Sequence, residues 1–377
     1  MNWKEIQQQT SVEREVFTQK LNQEMGDVQE REAFMESMRI FKQREEKTLA
    51  EENQITPDEL CLRLTALGEV CLASAYAFEK RFLATQYGMA ETDFYLVAMG
   101  KFGGCELNVQ SDLDVIYIFM QHGQTEGAKP ITYQEFFVRL VQRLISNLSI
   151  LTRNGRVYEV DVQLRPSGRA GTLVSSWEAF QDYHRHDARI WEKQSLLRAR
   201  PVVGPSDGQR ELARDLADLI WVQAYGPKIA TEIHRIRVRM ERELAKEADD
   251  AYNIKVGPGG LVDIEFIVQF LQLRFGREQP ALLSPHTGAS LRTLQAEGLL
   301  QEASAAKLEE AYYYYRRLET RLRALLGRSA DRLPRQPNDT TEALVLAMGE
   351  ANLQGLLERY ETYRSNVRQI YLETLGI

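Results

Sequence analysis

The hydrophobic pattern of this 377-residue chain is helical towards both ends. Residues 13–25 and 31–52 are charged and rich in helix formers. Residues 58–87 repeat apolar side chains at helical spacing, after a Thr-Pro pair that suits a helix start. The turn-forming stretch 203–208 precedes a second long helical part. We therefore expect helical regions on both sides of a central segment.

The central segment changes to short apolar runs with strand character. Residues 95–99 and 115–119 are apolar, and residues 157–165 alternate apolar with polar side chains, which predicts a half-buried strand with a polar face. Between the second and third strands lies an amphipathic helix, with Thr132 and Glu135 as a capping box at its start. Its apolar stripe consists of Phe137, Leu140, Val141, Leu144, Ile145 and Leu148.

These elements predict an α+β fold that is predominantly helical. Three regions are expected along the chain: an N-terminal helical region (1–88), a sheet-containing core (89–205) and a C-terminal helical bundle (206–377).

The first predicted strand leads into a glycine turn that precedes two carboxylates. Gly103 and Gly104 form the turn, and Asp112 and Asp114 follow at the start of the second strand. We expect the glycines to let backbone N–H groups approach phosphate, and residues 106–110 to form a short helical turn that favours an anion. Alternate strand residues share a face, so both carboxylates point the same way. Two such ligands beside a phosphate cradle suit Mg²⁺.

A third carboxylate is expected on a neighbouring strand if two metal ions act together. Asp161 is the candidate, in mid-strand on the polar face, with Arg165 nearby to meet phosphate. Glu159 shares that face and is either a further acid of the site or a solvated strand residue. Gly-Gly turns and Asp-x-Asp pairs are individually common in loops. Their combination at this spacing with a third acid favours nucleotidyl transfer.

Composition limits the function classes. The formal net charge is −7, which argues against a nucleic-acid scaffold. Three scattered cysteines without metal-binding spacing indicate reduced thiols and a cytoplasmic protein. Because the N-terminal residues are polar, we expect no signal peptide, no membrane span and a soluble protein.

The spacing Gly-Gly-x7-Asp-x-Asp is the signature of the DNA polymerase β-like nucleotidyltransferase superfamily. Longer sequence segments resemble the glutamine synthetase adenylyltransferase family. The matching segments are Met99–Leu107, Ser111–Asp114, Val160–Gly171, Trp191–Gln194, Arg198–Arg200 and Gly259–Phe266. The resemblance covers residues 60–330 and implies a mixed-sheet nucleotidyltransferase core between the helical regions.

The resemblance implies Mg²⁺-dependent transfer of AMP from ATP to a tyrosine of glutamine synthetase, which regulates nitrogen assimilation. The residues implied in catalysis, and as ligands of two Mg²⁺ ions, are Asp112, Asp114 and Asp161. Those implied to bind the β- and γ-phosphates are Gly103, Gly104 and Ser111. Cations that would offset triphosphate charge are Lys101 and Arg165, each equally explained by an ordinary salt bridge. A PII-type signal protein is implied as a further partner.

Members of that family are usually bifunctional chains with two homologous halves, one adding AMP and the other removing it by phosphorolysis. One half is expected here. Ser167, Asp263 and residues 191–194 are similar to the adding half, whereas Asn108 is similar to the removing half. Two alternatives therefore stay open: phosphorolytic deadenylylation at the same site, and a catalytically silent module that senses a nucleotide or a signal protein.

Overall fold

A computed structural model describes every residue of the chain except residues 27, 29, 53, 54, 223, 224 and 227. The described residues form fourteen α-helices and seven β-strands, which confirms the α+β, predominantly helical class. They group into two compact units. Unit 1 contains residues 1–107 and 111–222, and unit 2 contains residues 108–110 and 223–377. The three-region division at residues 88 and 205 stays a prediction.

Unit 1 holds eight of the described helices and five strands. The helices are α1 Trp3–Met25, α2 Arg31–Glu51, α3 Pro57–Tyr87, α4 Gly100–Gly103, α5 Tyr133–Ser149, α6 Trp177–His186, α7 Ile190–Leu196 and α8 Ser206–Ile220. The strands are β1 Phe94–Ala98, β2 Leu113–Phe119, β3 Val160–Asp161, β4 Ser175–Ser176 and β5 Arg200–Val203.

The N-terminal helices begin where capping residues allow it. The Asn2 side chain accepts the Glu5 backbone N–H at the start of α1, and Thr56 accepts that of Glu59 before Pro57 opens α3. Among the described helices, α3 alone is long and apolar enough to cross a membrane. However, 72% of its most apolar window is buried inside the protein, as expected for a core helix.

The sheet of unit 1 is mixed, with strand order β3-β2-β1-β5 and β4 also paired with β2. β1 runs antiparallel to β2 and β5, whereas β3 and β4 run parallel to β2. Helix α5 packs on this sheet: the ring of Phe137 stacks on that of Phe94, with 4.2 Å between ring centroids. Thr132 caps α5 by accepting the backbone N–H of Glu135, as the pattern predicts.

Two local predictions around the glycine turn are wrong. The short helix is α4, which precedes Gly104, and residues 106–110 are loop because Cys105 and Gln110 have left-handed backbones with φ of 56° and 55°. The predicted strand 157–165 shrinks to the two residues of β3. It ends there because the Asp161 carboxylate accepts the Gln163 backbone N–H, a local bond that turns the chain.

Unit 2 is a helical bundle with a two-stranded sheet. Its helices are α9 Ile229–Met240, α10 Leu261–Phe275, α11 Thr287–Ala296, α12 Glu302–Leu326, α13 Asp339–Met348 and α14 Leu353–Leu375, and a π-helical turn, Glu241–Ala245, follows α9. The strands are β6 Ala251–Asn253 and β7 Arg332–Pro334, which pair antiparallel.

Buried polar groups hold unit 2 together. Asp263, fully buried at the start of α10, ion-pairs with Arg237 and, at 3.1 Å, with Arg368, and it also accepts the Gly259 N–H. The dipole of α10 therefore accounts for only part of its stabilisation. The Asn108 amide donates to Glu319 at 3.1 Å, so residues 108–110 are anchored within this unit.

Candidate active site

Three carboxylates of unit 1 meet at the edge where β2 and β3 begin. Asp112 immediately precedes β2, Asp114 is its second residue, and Asp161 is the last residue of β3. The parallel register places Leu113 opposite Val160 and Asp114 opposite Asp161. One ligand atom from each carboxylate lies within 4.8 Å of those of the other two. The structure thus brings together the three acids singled out by the sequence.

Local contacts orient Asp161 and separate it from Glu159. Both carboxylate oxygens of Asp161 accept from Gln163, one from its backbone N–H at 2.7 Å and the other from its side-chain amide at 3.0 Å. Glu159 instead points to solvent, with 64% of its side chain exposed, and forms an ion pair with Arg156. The three-carboxylate group of the described residues does not include Glu159, so its interpretation as a solvated residue is the better one.

The residues present fit a divalent cation of the magnesium type. Mg²⁺ binds oxygen ligands at about 2.0–2.1 Å in octahedral geometry and commonly takes one or two carboxylates with substrate phosphates. The three oxygens are close enough for side-chain rotation to bring them to one ion. Asp112 is exposed, and Asp114 and Asp161 are half-buried, so a phosphate substrate can reach the same edge.

Gly100, the first residue of α4, begins the segment that leads into the glycine turn and lies beside this edge of the sheet. Gly100 has φ of +53°, and a Cβ there would lie 2.5 Å from Oδ2 of Asp114. The backbone N–H of Met99 donates to the Asp114 carbonyl at 2.9 Å. Glycine at position 100 therefore lets the turn start directly beside a carboxylate of the site.

Gly103 and Gly104 are constrained by packing and backbone hydrogen bonds. A Cβ on Gly103 would lie 1.7 Å from the carbonyl oxygen of Arg198, so no larger residue fits there. The N–H groups of Gly103 and Gly104 donate to the carbonyls of Met99 and Gly100, at 2.8 and 3.1 Å. A phosphate contact by these two N–H groups, which stays a prediction, would have to share them with those carbonyls.

The remaining predicted phosphate ligands occupy different settings. Ser111 is buried immediately before Asp112, and Lys101 is half-buried in α4. The Arg165 guanidinium donates to the backbone carbonyls of Val162, Gly171 and Arg169, at 2.7, 3.3 and 3.3 Å. Arg165 thus braces its own loop, and an additional contact with triphosphate stays a prediction.

Burial excludes the thiol beside the turn as a nucleophile. Cys105 is 1% exposed, and this burial raises the pKa of its thiol to about 11. Its sulfur lies 3.8 Å from the Thr10 hydroxyl. Cys105 is therefore a packing residue in its protonated form at neutral pH.

Two side chains that the sequence pattern does not single out, Arg200 and Glu69, hold the glycine turn. Arg200 donates to the carbonyls of Phe102 and Gly103, both at 3.0 Å, and forms a 2.7 Å ion pair with Glu69 of α3. One signal was available: Glu69 is a single acid within an apolar run of α3, and such a residue, once buried, requires a cationic partner.

Comparison with known proteins gives the family. A sequence model described as glutamate-ammonia ligase adenylyltransferase matches residues 3–215, which include the whole carboxylate site. The chain belongs to this family. Because glutamate-ammonia ligase is another name for glutamine synthetase, this is the family that the sequence segments resemble. A second model, described as GlnD PII-uridylyltransferase, matches residues 228–375.

Individual relatives of the adenylyltransferase family agree with this assignment. The chain is 33% identical over 317 residues to a protein of Hahella chejuensis, covering 82% of this chain and 33% of that protein. It is 36% identical over 281 residues to one of Nitrosomonas europaea, covering 74% and 30% respectively. A relative from Methylococcus capsulatus is 29% identical over 365 residues, covering 94% and 38%.

All three relatives are named bifunctional glutamine synthetase adenylyltransferase/adenylyl-removing enzyme. The chain spans about a third of the length of these curated relatives.

Proposed function

We propose that this chain catalyses Mg²⁺-dependent transfer of AMP from ATP to a tyrosine of glutamine synthetase. The observation that carries the proposal is the cluster of Asp112, Asp114 and Asp161 at the edge of the mixed sheet. Membership of the adenylyltransferase family supports the reaction class, and the names of its relatives support glutamine synthetase as the substrate.

In the proposed reaction the tyrosine oxygen attacks the α-phosphorus of ATP. A bond forms between these two atoms, the bond from the α-phosphorus to the bridging oxygen breaks, and pyrophosphate leaves. The three aspartates would hold one or two Mg²⁺ ions, which when bound supply charge neutralisation of the phosphates and acidify the attacking hydroxyl. Asp161 would accept the tyrosine proton at a carboxylate oxygen, which Gln163 keeps oriented.

The glycine turn would position the leaving group. Gly103, Gly104 and the hydroxyl of Ser111 would bind the β- and γ-phosphates, while Lys101 and Arg165 would offset their charge. Ser111 and Asp112 are consecutive, which supports simultaneous contact with phosphate and metal. A tight turn that approaches Asp114 at Gly100 supports the placement of phosphate beside the carboxylates.

Phosphorolytic removal of AMP is the second candidate. The name of the relatives contains both activities, and Asn108 is similar to the removing half of the family. Removal would use the same cluster for a different reaction: an oxygen of inorganic phosphate attacks the α-phosphorus of the AMP-tyrosine. The bond from that phosphorus to the tyrosine oxygen breaks, and the products are ADP and the free tyrosine. The similarity of Ser167 and Asp263 to the adding half favours addition.

The partners and compartment complete the proposal. We infer that a PII-type signal protein regulates the enzyme, because a uridylyltransferase model named for PII matches residues 228–375. We also propose a cytoplasmic location, which the proposed substrates, ATP and glutamine synthetase, support. The acidic balance of the chain gives no support for a nucleic-acid partner.

The decisive experiment incubates the chain with Mg²⁺, α-labelled ATP and unmodified glutamine synthetase. A matched sample contains the Asp112→Asn, Asp114→Asn variant, which keeps side-chain size but removes both charges. Label that enters the synthetase with wild type alone supports the proposal, and equal labelling by the variant refutes the assigned site. If no label enters, adenylylated synthetase and phosphate are supplied. Release of ADP then identifies the removing enzyme, and absence of both reactions favours the silent module.

A further inference from the structure

Two carbonyls at the end of the four-residue helix α4 accept hydrogen bonds from a side chain outside the helix, and that of Phe102 also accepts the Cys105 N–H at 3.3 Å. Helix ends leave such acceptors in need of partners. Here Nε of Arg200 donates to the Gly103 carbonyl and Nη2 donates to that of Phe102, both at 3.0 Å. One planar guanidinium thus fixes two successive peptide groups of the glycine turn.

The same guanidinium is fixed in turn by a buried acid. Its Nη1 lies 2.7 Å from Oε1 of Glu69, whose side chain is 3% exposed. This contact is an ion pair. Arg200 also sits opposite Ala98 in the β1–β5 register, next to the point where β1 enters the turn. The guanidinium of Arg200 is therefore held by α3, and its backbone is held by pairing with β1.

A second arginine holds the far end of the turn. Nη2 of Arg198 lies 2.9 Å from Oε2 of Glu106, and both side chains are buried. The backbone N–H of Glu106 donates to the Lys101 carbonyl at 2.8 Å, which closes the turn onto α4. The backbone of Arg198 also packs against Gly103, at the position a Cβ would occupy.

From this geometry we infer that Arg200, assisted by Arg198, is a positioning residue that sets the glycine turn for the triphosphate end of the nucleotide. The inference rests on the proposed function. In this role the Arg200 guanidinium binds backbone carbonyls and Glu69 rather than the nucleotide. It acts by fixing the peptide groups of Phe102 and Gly103, which adjoin Gly100 and hence Asp114. A shift of the turn would weaken contacts with the β- and γ-phosphates and leave those with AMP in place.

The test uses Arg200→Lys in the full chain. Lysine keeps the positive charge for Glu69 but lacks the fork that reaches two carbonyls at once. Arg31→Lys is the matched control, because Arg31 pairs at 2.8 Å with Glu79, another buried acid of α3, away from the turn. Two quantities are measured: hydrogen exchange of the amides at 103–106, and the dissociation constants of ATP and AMP in Mg²⁺.

We expect Arg200→Lys to speed exchange at 103–106 and to weaken ATP binding at least about tenfold, as loss of a charge-assisted hydrogen bond does, with AMP binding unchanged. Arg31→Lys should leave both readouts as in wild type. If Arg200→Lys does not fold, Arg198→Lys replaces it, with the same expectation from the other end of the turn.

Three outcomes overturn the inference. Unchanged exchange at 103–106 shows that Arg200 does not fix the turn, whatever the enzyme does. Faster exchange with an unchanged ratio of ATP to AMP affinity overturns the positioning role and leaves the proposed function intact. Failure of wild type to bind either nucleotide overturns the proposed function and the inference together.

Discussion

Asp114 and Asp161 lie opposite each other in the parallel pairing of β2 and β3, although 46 residues separate them in the chain. This register, rather than the spacing of either motif, places the third acid beside the first two. Because β3 has only two residues, a single pair of register positions fixes the geometry of the cluster.

The first prediction concerns the isosteric change Asp161→Asn. It removes the charge and the proposed proton acceptor. The asparagine oxygen can still accept the Gln163 backbone N–H, and its NH2 group can donate to the Gln163 side-chain oxygen once that amide flips. We expect initial rates of AMP transfer to fall at least about a hundredfold with an unchanged unfolding midpoint, because the loss is one of metal binding. Glu159→Gln, two residues earlier and exposed, should keep wild-type turnover. An equal loss of rate in both variants would show that any change near β3 lowers the rate, and that the Asp161 carboxylate has no specific role.

Much of this site could be predicted from the sequence because its signals are local. Alternation, turn formers and the capping pair at Thr132 predict β1, β2 and α5 close to their observed limits. The three acids follow from strand periodicity and the need of metal ions for hard oxygen ligands. In physical terms, each of these features depends on residues near one another in the chain.

The predictions are wrong where tertiary contacts or the backbone conformation of a single residue determines the local structure. The local pattern does not indicate that Cys105 and Gln110 adopt positive φ, and it therefore predicts the helical turn on the wrong side of Gly104. The alternation of residues 157–165 matches a strand, but the Asp161–Gln163 bond ends it early. Arg200 and Glu69 are 131 positions apart, and their pairing depends on the packing of α3 against β5.

The second prediction is that Gly103→Ala destabilises unit 1. The added Cβ would lie 1.7 Å from the Arg198 carbonyl oxygen and 2.7 Å from that of Ala98, and backbone atoms cannot move aside cheaply. We expect a loss of about 3 kcal/mol or more in the free energy of urea unfolding. The control, Gly68→Ala in α3, meets only leucine and phenylalanine side-chain atoms at 3.2–3.4 Å and should change stability by about 1 kcal/mol or less. Comparable losses in both variants would contradict the close packing at Gly103.

The third prediction concerns the buried ion cluster of unit 2. Asp263→Ala leaves Arg237, which is fully buried, and Arg368 without their shared carboxylate. Removing one partner of a buried pair costs about 3–5 kcal/mol, and we expect a loss of that size in urea unfolding of unit 2. Arg239→Ala breaks an exposed pair with Glu243 at 2.9 Å, on the π-helical turn that follows α9, and should cost less than about 1 kcal/mol. A small effect of Asp263→Ala would mean that Glu241, which lies 3.5 Å from Arg237 and 3.3 Å from Arg368, or water compensates both arginines.

The fourth prediction is a pH dependence set by His184. This residue is 4% exposed in α6, and burial, together with the nearby Lys193 ammonium, lowers the pKa of its imidazole to about 3 from a usual value of 6.5. Below pH 6.5 the unfolded chain therefore binds a proton that the folded chain does not bind. The resulting loss of stability begins as the pH falls through 6.5 and continues towards pH 3, at up to about 1.4 kcal/mol per pH unit.

The measurement that checks this is urea unfolding of wild type and His184→Phe at several pH values between 7 and 4. Phenylalanine suits a site where the ring already packs 4.4 Å from that of Phe180, and it carries no titrating group. We expect the free energy of unfolding of the variant to fall less steeply with acid than that of wild type. His186→Gln, at an exposed histidine of the same helix, should reproduce the wild-type slope. Parallel slopes for wild type and His184→Phe would mean that His184 is solvated in the folded protein.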